Sequence, residues 1–434
     1  MLMKLALVAL VLCAGFGSAH PSAAEFNLFC RILAKANDLM YGPDYVYDEN
    51  ADRAILKDME VLYNATTSNM NEFRKTLWVT KGFFEEHPPP TDPKNREAAN
   101  REIEQLITKG EEKIEENKKI AEDVNKEINK AKLSVARGIF GEEVKELPKQ
   151  DGNLTEILSK TGSIFVTDNT ATKSCGDTQK TGKTLLNDFF CVCVGDGRED
   201  GSSQPPCSPH ILPPRHGDGK NGWKAMKYKS QDKENKFLHF NESFRQIEKA
   251  CTEELMGEAK QTKDMTGLLA EYVGLIGKGG AKKEANSKNK KIFGHSERSK
   301  GHEDVNKVTK CDGGQTDSSP GTGANDQHNA DICVDYTNHT QDGKTYNIPW
   351  HEKFKNYTSI MKSVKDLEEK ILKNRADLLL LKSQAWVAYS REKDDETSNL
   401  DDMNVSNLFD GARLPFSFHS LTYLFPFLFL FLIL

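Results

Sequence analysis

Thiols offer the most chemistry in this chain of 434 residues, which carries nine cysteines. Cys13 lies in an apolar run near the N-terminus. The other eight, Cys30, Cys175, Cys191, Cys193, Cys207, Cys251, Cys311 and Cys333, make an even set. Such a set can hold zinc or oxidise to disulfides. Structural zinc needs two ligand pairs at finger-like spacing. The close pair here is Cys191-Val192-Cys193, whose sulfurs would share a face if the backbone is extended, and no second pair follows. Disulfides fit better in an oxidising compartment. Eight cysteines allow about a hundred pairings, and spacing does not select among them. A bridge from Cys311 to Cys333 would close the loop between them.

Hydrolytic chemistry leaves no comparable mark. The sequence has no metal-ligand His pair at helical spacing, no Gly-X-Ser-X-Gly elbow and no phosphate-binding loop. His210 and His216 flank a Pro-rich loop and read as exposed. The acidic residues are spread over solvated helix faces and do not converge as a catalytic pair. The expectation is therefore no enzyme, no catalytic residue, no metal and no cofactor. The net charge of −6, with both signs interspersed, also argues against nucleic acid, which demands a basic surface.

Two further kinds of modification are written into the chain. Six Asn-X-Ser/Thr sequons occur, at Asn64, Asn153, Asn241, Asn338, Asn356 and Asn404. One sequon arises easily by chance, but six in a secreted chain predict N-glycosylation. Asn64 and Asn356 fall inside helical patterns, so sugars there must leave from exposed faces. The second modification is at the C-terminus. From Leu421 to Leu434 nearly every residue is Leu or Phe, without the basic flank that fixes a permanent membrane helix. A short spacer, Arg413 to Ser420, precedes this run, and the small triplet Asp410-Gly411-Ala412 precedes the spacer. This arrangement signals exchange of the tail for a glycosylphosphatidylinositol (GPI) lipid. Asp410 is the expected attachment residue, with Gly411 and Asn407 as alternatives.

Secretion itself is predicted by the other end. Lys4 is followed by an apolar run from Leu5 to Cys13 and then by small residues, the pattern of a cleaved signal peptide. The run is shorter than the roughly 20 residues that span a bilayer. Cleavage is expected after Ala19 or Ala24. The layout is then a signal peptide over 1–24, an ectodomain over 25–393, a polar tether over 394–410 and a removed propeptide over 411–434.

Helices must position these groups. Phe26, Phe29, Cys30, Leu33 and Met40 recur at helical spacing, and Gly42-Pro43 stops that helix. A helix near 52–86 carries the seam Met59, Tyr63, Thr66, Met70, Phe73, Leu77, Thr80 and Phe84, in alternating steps of four and three. Prolines from Pro88 to Pro93 break it. A third helix, near 95–137, has the seam Ile103, Ile107, Gly110, Ile114, Asn117, Ala121, Val124, Ile128, Ala131 and Val135. The proline turn should fold the two back as an antiparallel hairpin. The last helix, near 350–393, keeps the rhythm through Tyr357, Ile360, Val364, Leu367, Ile371, Asn374, Leu378, Leu381, Ala385 and Ala388.

Between them, 138–349 holds most of the cysteines and only short apolar runs. Ser163-Ile164-Phe165-Val166 and Phe189 to Val194 read as short strands, and 247–276 contains helical pieces. The stretch 277–331 approaches low complexity, and its Lys-rich run from Lys282 to Lys291 reads as an exposed loop. The predicted fold is mainly α: an elongated antiparallel coiled-coil or helical-bundle stalk. A disulfide-bonded, loop-rich cap with a few short strands completes it.

Four segments resemble the variant surface glycoproteins of African trypanosomes, a likeness that runs from end to end. They are Glu25-Phe26-Asn27-Leu28-Phe29-Cys30-Arg31-Ile32-Leu33, Leu62-Tyr63-Asn64-Ala65-Thr66-Thr67, Asp188-Phe189-Phe190-Cys191-Val192-Cys193 and Ala412-Arg413-Leu414-Pro415-Phe416. The resemblance implies an elongated coiled-coil protein, usually a homodimer, held on the outer leaflet of the plasma membrane by GPI. It also implies a dense protective coat and a shifting antigen that faces host antibodies. Related surface proteins take up transferrin or haptoglobin–haemoglobin, so a nutrient receptor on the same scaffold is the alternative, and abundance separates the two. The chain departs from better-known members in having no cysteine after Cys333, which predicts one structured domain plus a tether.

Overall fold

The structure, a computed structural model, describes residues 22–391 apart from 70, 72, 76–79, 150–152, 167–171, 177–179, 195–205, 212–225, 228–237, 257–262, 279–290, 295–310, 312–332 and 341–344. The protein is mainly α-helical. In chain order the described helices begin with α1 (Ala23–Met40), α2 (Glu49–Thr66), α3 (Lys81–Glu86) and α4 (Pro93–Phe140). Then come α5 (Leu154–Ser159), α6 (Thr161–Ile164), α7 (Leu185–Cys193), α8 (Phe240–Met256), α9 (Met265–Leu275) and α10 (Pro349–Ser390). Strands β1 (Met226–Lys227) and β2 (Leu238–His239) pair in parallel, and β3 (Ile292–Phe293) and β4 (Val334–Asp335) pair antiparallel.

The chain divides into two compact units. One takes the chain up to Asp48 together with Glu115–Asn374, and the other takes Glu49–Ile114 with the chain from Arg375 onward. Helices α4 and α10 each contribute to both.

In the second unit, α2 and α4 run antiparallel, as the proline turn requires. Asn100 on α4 donates to the Tyr63 carbonyl near the end of α2 at 2.9 Å. Closer to the start of α2, Leu56 meets Gly110 so tightly that a Cβ on the glycine would stand 2.3 Å from a Leu56 methyl. Leu378 of α10 closes the same layer, 3.3 Å from that point. Gly110 therefore occupies a seam position because three helices leave no room for a side chain. Lys382 of α10 reaches Asp58 of α2 at 2.6 Å. Phe83, Phe84, Trp386 and Tyr389 form an aromatic cluster between α3 and α10, with Phe83 and Trp386 centroids 5.7 Å apart.

The seams are buried as their spacing predicts. On α4, Ile103, Ile114, Asn117, Val124, Ala131 and Val135 are inaccessible, as are Val364, Ile371, Leu378, Ala385 and Ala388 on α10. Each seam has an asparagine among its apolar residues, and in the first unit the two meet. Asn374 Nδ2 donates to Asn117 Oδ1 at 2.9 Å. A buried polar pair of this kind penalises register slips, because any shift leaves both amides unpaired. Asp92 caps α4 by accepting from Lys94 N at 2.7 Å, with Pro93 at the first helical position. Gly141, at φ +95°, ends it.

Two expectations fail. The helix near 52–86 stops at Thr66, and α3 starts separately at Lys81. Thr66 Oγ1 turns back onto the carbonyls of Leu62 and Tyr63, and Thr67 Oγ1 accepts from Asn69 N. The run Thr66-Thr67-Ser68-Asn69 thus offers the backbone side-chain partners that compete with a helix. The segments read as strands are not strands: Ser163-Ile164 ends α6, with Phe165-Val166 in the bend after it, and Phe189–Cys193 lies in α7. Every residue of α7 is buried, so it has no polar face and no periodicity to separate it from a strand.

Candidate functional site

The described cysteines of the first unit form four disulfides. Cys30 on α1 joins Cys251 on α8, and Cys175 joins Cys191. Cys193 joins Cys207, and Cys311 joins Cys333. The helical form of α7 explains the separate fates of Cys191 and Cys193. Residues two apart on a helix point about 200° away from each other, so these sulfurs reach opposite partners. On a strand both would have shared a face.

The same helix delivers a buried carboxylate. Thr184 caps α7 by accepting from Asn187 N at 3.0 Å, which sets Asp188 in the first turn. Trp350 Nε1 donates to Asp188 Oδ2 at 2.7 Å, and Tyr336 OH donates to the same oxygen. Asn187 Nδ2 donates to Oδ1 at 3.1 Å. The Tyr272 hydroxyl lies 2.8 Å from that of Tyr336, and the Tyr272 ring stacks on Phe293 at 3.8 Å. One carboxylate thereby ties α7 to α10 and to the segment after β4, and through Tyr336 to α9. Burial pushes the Asp188 carboxyl up to about 6, against the hydrogen bonds from Tyr336, Asn187 and Trp350. Burial, reinforced by Asp188, holds the Tyr336 and Tyr272 hydroxyls well above the usual tyrosine range.

Beside Trp350 sits His351, also fully buried. Its Nε2 has no hydrogen-bond partner among the described residues. Burial, with Lys355 nearby, holds its imidazole well below the usual histidine value. Asp188, Tyr272, Tyr336, Trp350 and His351 are all closed to solvent, so no substrate atom reaches them. Their chemistry is cohesion.

Other groups at the edges of this core carry charge. Arg31 on α1 grips Glu271 on α9 with both terminal nitrogens, and Lys263 adds a contact at 2.6 Å. The Arg31 hydrogen bond leads in holding the Glu271 carboxyl down at about 2. A cavity of about 340 Å³ opens between α1, the end of α4 and α8, walled by Leu33, Met40, Phe140, Leu154 and Phe244 with Glu248 beside them. Its lining has neither a histidine nor a second carboxylate for acid–base work.

The predicted modification sites are scattered. Asp410, Gly411, Asn407 and Asn404 lie outside the described residues, as do His216 and most of the signal peptide and Lys-rich run. Asn338 and Asn356 are exposed, whereas Asn64, Asn153 and Asn241 are half-buried. His210 is exposed, 3.6 Å from Glu253. Among the described residues no His, Cys, Asp or Glu cluster could hold a metal ion, and no helix is long and apolar enough to cross a membrane.

Sequence reasoning missed the Asp188 hub. The signal available was the pair Asn187-Asp188 in an otherwise apolar run, Leu185 to Val194, where a carboxylate demands buried donors. It also missed Ile292–Phe293, a buried strand inside the stretch read as low complexity.

Comparison with known proteins gives one family. The profile described as the trypanosomal VSG domain matches residues 47–377, well over half of the chain. No curated protein matches it.

Proposed function

Since the chain belongs to the family of trypanosomal VSG-domain proteins, a family of surface coat proteins, we propose that it is a GPI-anchored coat glycoprotein that shields the parasite and evades immunity by antigenic variation. The observation that carries this reading is the family match over 47–377, which takes in α2, α4, three of the four described disulfides and most of α10. The signal peptide routes the chain outward, and a GPI lipid replaces the tail after Asp410. N-linked sugars complete the mature form.

The division of labour within the molecule suits such a role. Seam positions are closed and intolerant of change, while exposed loops accept substitution readily. An antigen can therefore vary its surface without losing its frame. Self-association as a homodimer is part of the proposal. Leu372 in the first unit and Leu380 in the second are each exposed apolar side chains, at 62% and 58%, of the kind that self-association covers.

Phosphatidylinositol-specific phospholipase treatment of intact cells tests the anchor and the coat together. Release of this chain as the dominant surface protein is the expected result. Retention on cells whose enzyme-sensitive controls are shed would refute the lipid anchor, and release as a scarce species would favour a receptor.

A further inference from the structure

We propose that Asn338 carries an N-linked oligosaccharide, while Asn356 and Asn153 are structural asparagines whose sequons stay unmodified. The inference rests on the secretory routing proposed above, but routing alone treats all sequons alike. Geometry separates them.

An oligosaccharide is joined through the asparagine Nδ2, so that nitrogen must face solvent with room for a branched chain. Asn338 meets this condition. It is the middle residue of the 3-10 turn Thr337–His339 and is exposed. Its neighbours are occupied with holding the turn. Thr337 Oγ1 donates to Asp335 Oδ1 at 2.5 Å, and the His339 ring lies 3.1 Å from the Asn347 carbonyl. Tyr336 is buried in the Asp188 hub. Pairing of β4 with β3 on one side and the Thr340–Tyr346 bridge on the other anchor the turn at both ends. No side-chain hydrogen bond engages Asn338 itself among the described residues. It stands exposed on a turn held at both ends by described contacts.

Asn356 is exposed too, yet its nitrogen is committed. Nδ2 donates to Ser134 Oγ at 3.1 Å, and that hydroxyl donates to the Lys353 carbonyl at 2.9 Å. This relay crosses from α10 to α4 within the first unit. A sugar on Nδ2 must either stand between the helices or swing the side chain out and surrender the bond. Asn153 is committed at both ends of its amide. Oδ1 accepts from Lys149 N at 2.9 Å, and Nδ2 donates to the Leu147 carbonyl at 3.2 Å. Asn241 has its Oδ1 buried at the start of α8. Asn64 is half-buried on α2, where its sequon partner Thr66 is closed to solvent.

Site-specific mass spectrometry of the full chain from its secretory host tests the assignment. Enzymatic deglycosylation in ¹⁸O water should label Asn338 and leave Asn356 and Asn153 unlabelled. Asn338→Gln should remove the mass of one oligosaccharide with Tm unchanged. Asn356→Gln should leave the mass of attached sugar unchanged but lower Tm by about 1–2 °C. Ser134→Ala should lower Tm similarly, and the double variant should fall by less than the sum. Label at Asn356 or Asn153 overturns the proposal, as does an unlabelled Asn338 in a protein that has lost its first residues. A product that retains Met1 and carries no sugar overturns instead the routing on which the proposal rests.

Discussion

Along α4 and α10, buried residues recur every three or four positions, and each layer meets chiefly the layers next to it. Around α7, by contrast, a single carboxylate serves α10 and the segment after β4 directly and α9 through Tyr336, and four disulfides add covalent ties, one of them between residues 221 positions apart. The seam is a repeated local solution, whereas the core is a single non-local one. A defect in the seam should therefore stay small and additive with distant defects. A defect in the core should be felt by every segment that the shared group holds.

The sharpest way to break this contrast is to remove Cys30–Cys251, whose partners lie 221 residues apart. Loops of this length lose the most entropy on closure, so Cys30→Ala with Cys251→Ala should cost about 5 kcal/mol in urea unfolding. A loss under about 1 kcal/mol would mean that the core holds together without its longest covalent tie, and the contrast would disappear.

Next in size is a pH effect confined to the core. Asp188 has a folded pKa near 6, above its ordinary 3.8, so the folded protein holds that proton more tightly. Its contribution to stability is fully present below pH 3.8 and is lost as pH rises to about 6, by about 3 kcal/mol. His351 acts in the opposite sense. Its folded pKa lies well below 6.5, so its contribution is present above pH 6.5 and is lost as pH falls. The two partly cancel in acid. Asp188→Asn should therefore make the protein lose stability more steeply than the parent between pH 6.5 and 4. His351→Leu should make it gain stability on acidification, and should raise Tm at pH 7 by relieving an unpaired buried nitrogen. Thermal unfolding across that range checks both, and parallel profiles for parent and variants would refute the assignment.

The same contrast explains what could be read in advance. The α4 and α10 seams were legible because an amphipathic helix writes its burial as periodicity, and Asn117 and Asn374 fell on the right register without their pairing being visible. The α7 helix was not legible. A helix buried on every face has no polar side, and Phe189 to Val194 carries β-branched and aromatic residues that equally suit a strand. The end of α2 was misread for a different reason. Met70, Phe73 and Leu77 continue the heptad count past Thr66, but hydroxyl and amide side chains capture the backbone first. The Asp188 hub depends on Tyr336 and Trp350, respectively 148 and 162 residues away, and no local pattern reports a contact of that kind.

Within the seam, Gly110 gives a local test. Gly110→Ala gains helix propensity but places a Cβ 2.3 Å from a Leu56 methyl, and the net cost should be about 1–2 kcal/mol. Adding Leu56→Ala removes the colliding atom, so the double variant should be more stable than the sum of the singles predicts. Strict additivity in denaturant titrations would show that α2 and α4 do not meet there.

The smallest expected effect compares one interaction in both regions. Lys382–Asp58 joins α10 to α2 at 2.6 Å, with side chains 35% and 58% exposed. Arg31–Glu271 joins α1 to α9 with side chains 14% and 28% exposed, and Arg31 grips both carboxylate oxygens. An exposed lysine pair is screened and must hold two long side chains still, so Lys382→Ala should change stability by no more than about 0.5 kcal/mol. A two-pronged, better-covered arginine loses less freedom per bond, and Arg31→Ala should cost about 1 kcal/mol. The sign of its pH dependence is fixed by Glu271, whose pKa falls from 4.5 to about 2 on folding. The stabilisation is present above pH 4.5 and disappears as pH falls towards 2, so the gap between parent and Arg31→Ala should close over that interval. Equal costs for the two substitutions would mean that cover and geometry do not distinguish the core from the seam at the level of single ion pairs.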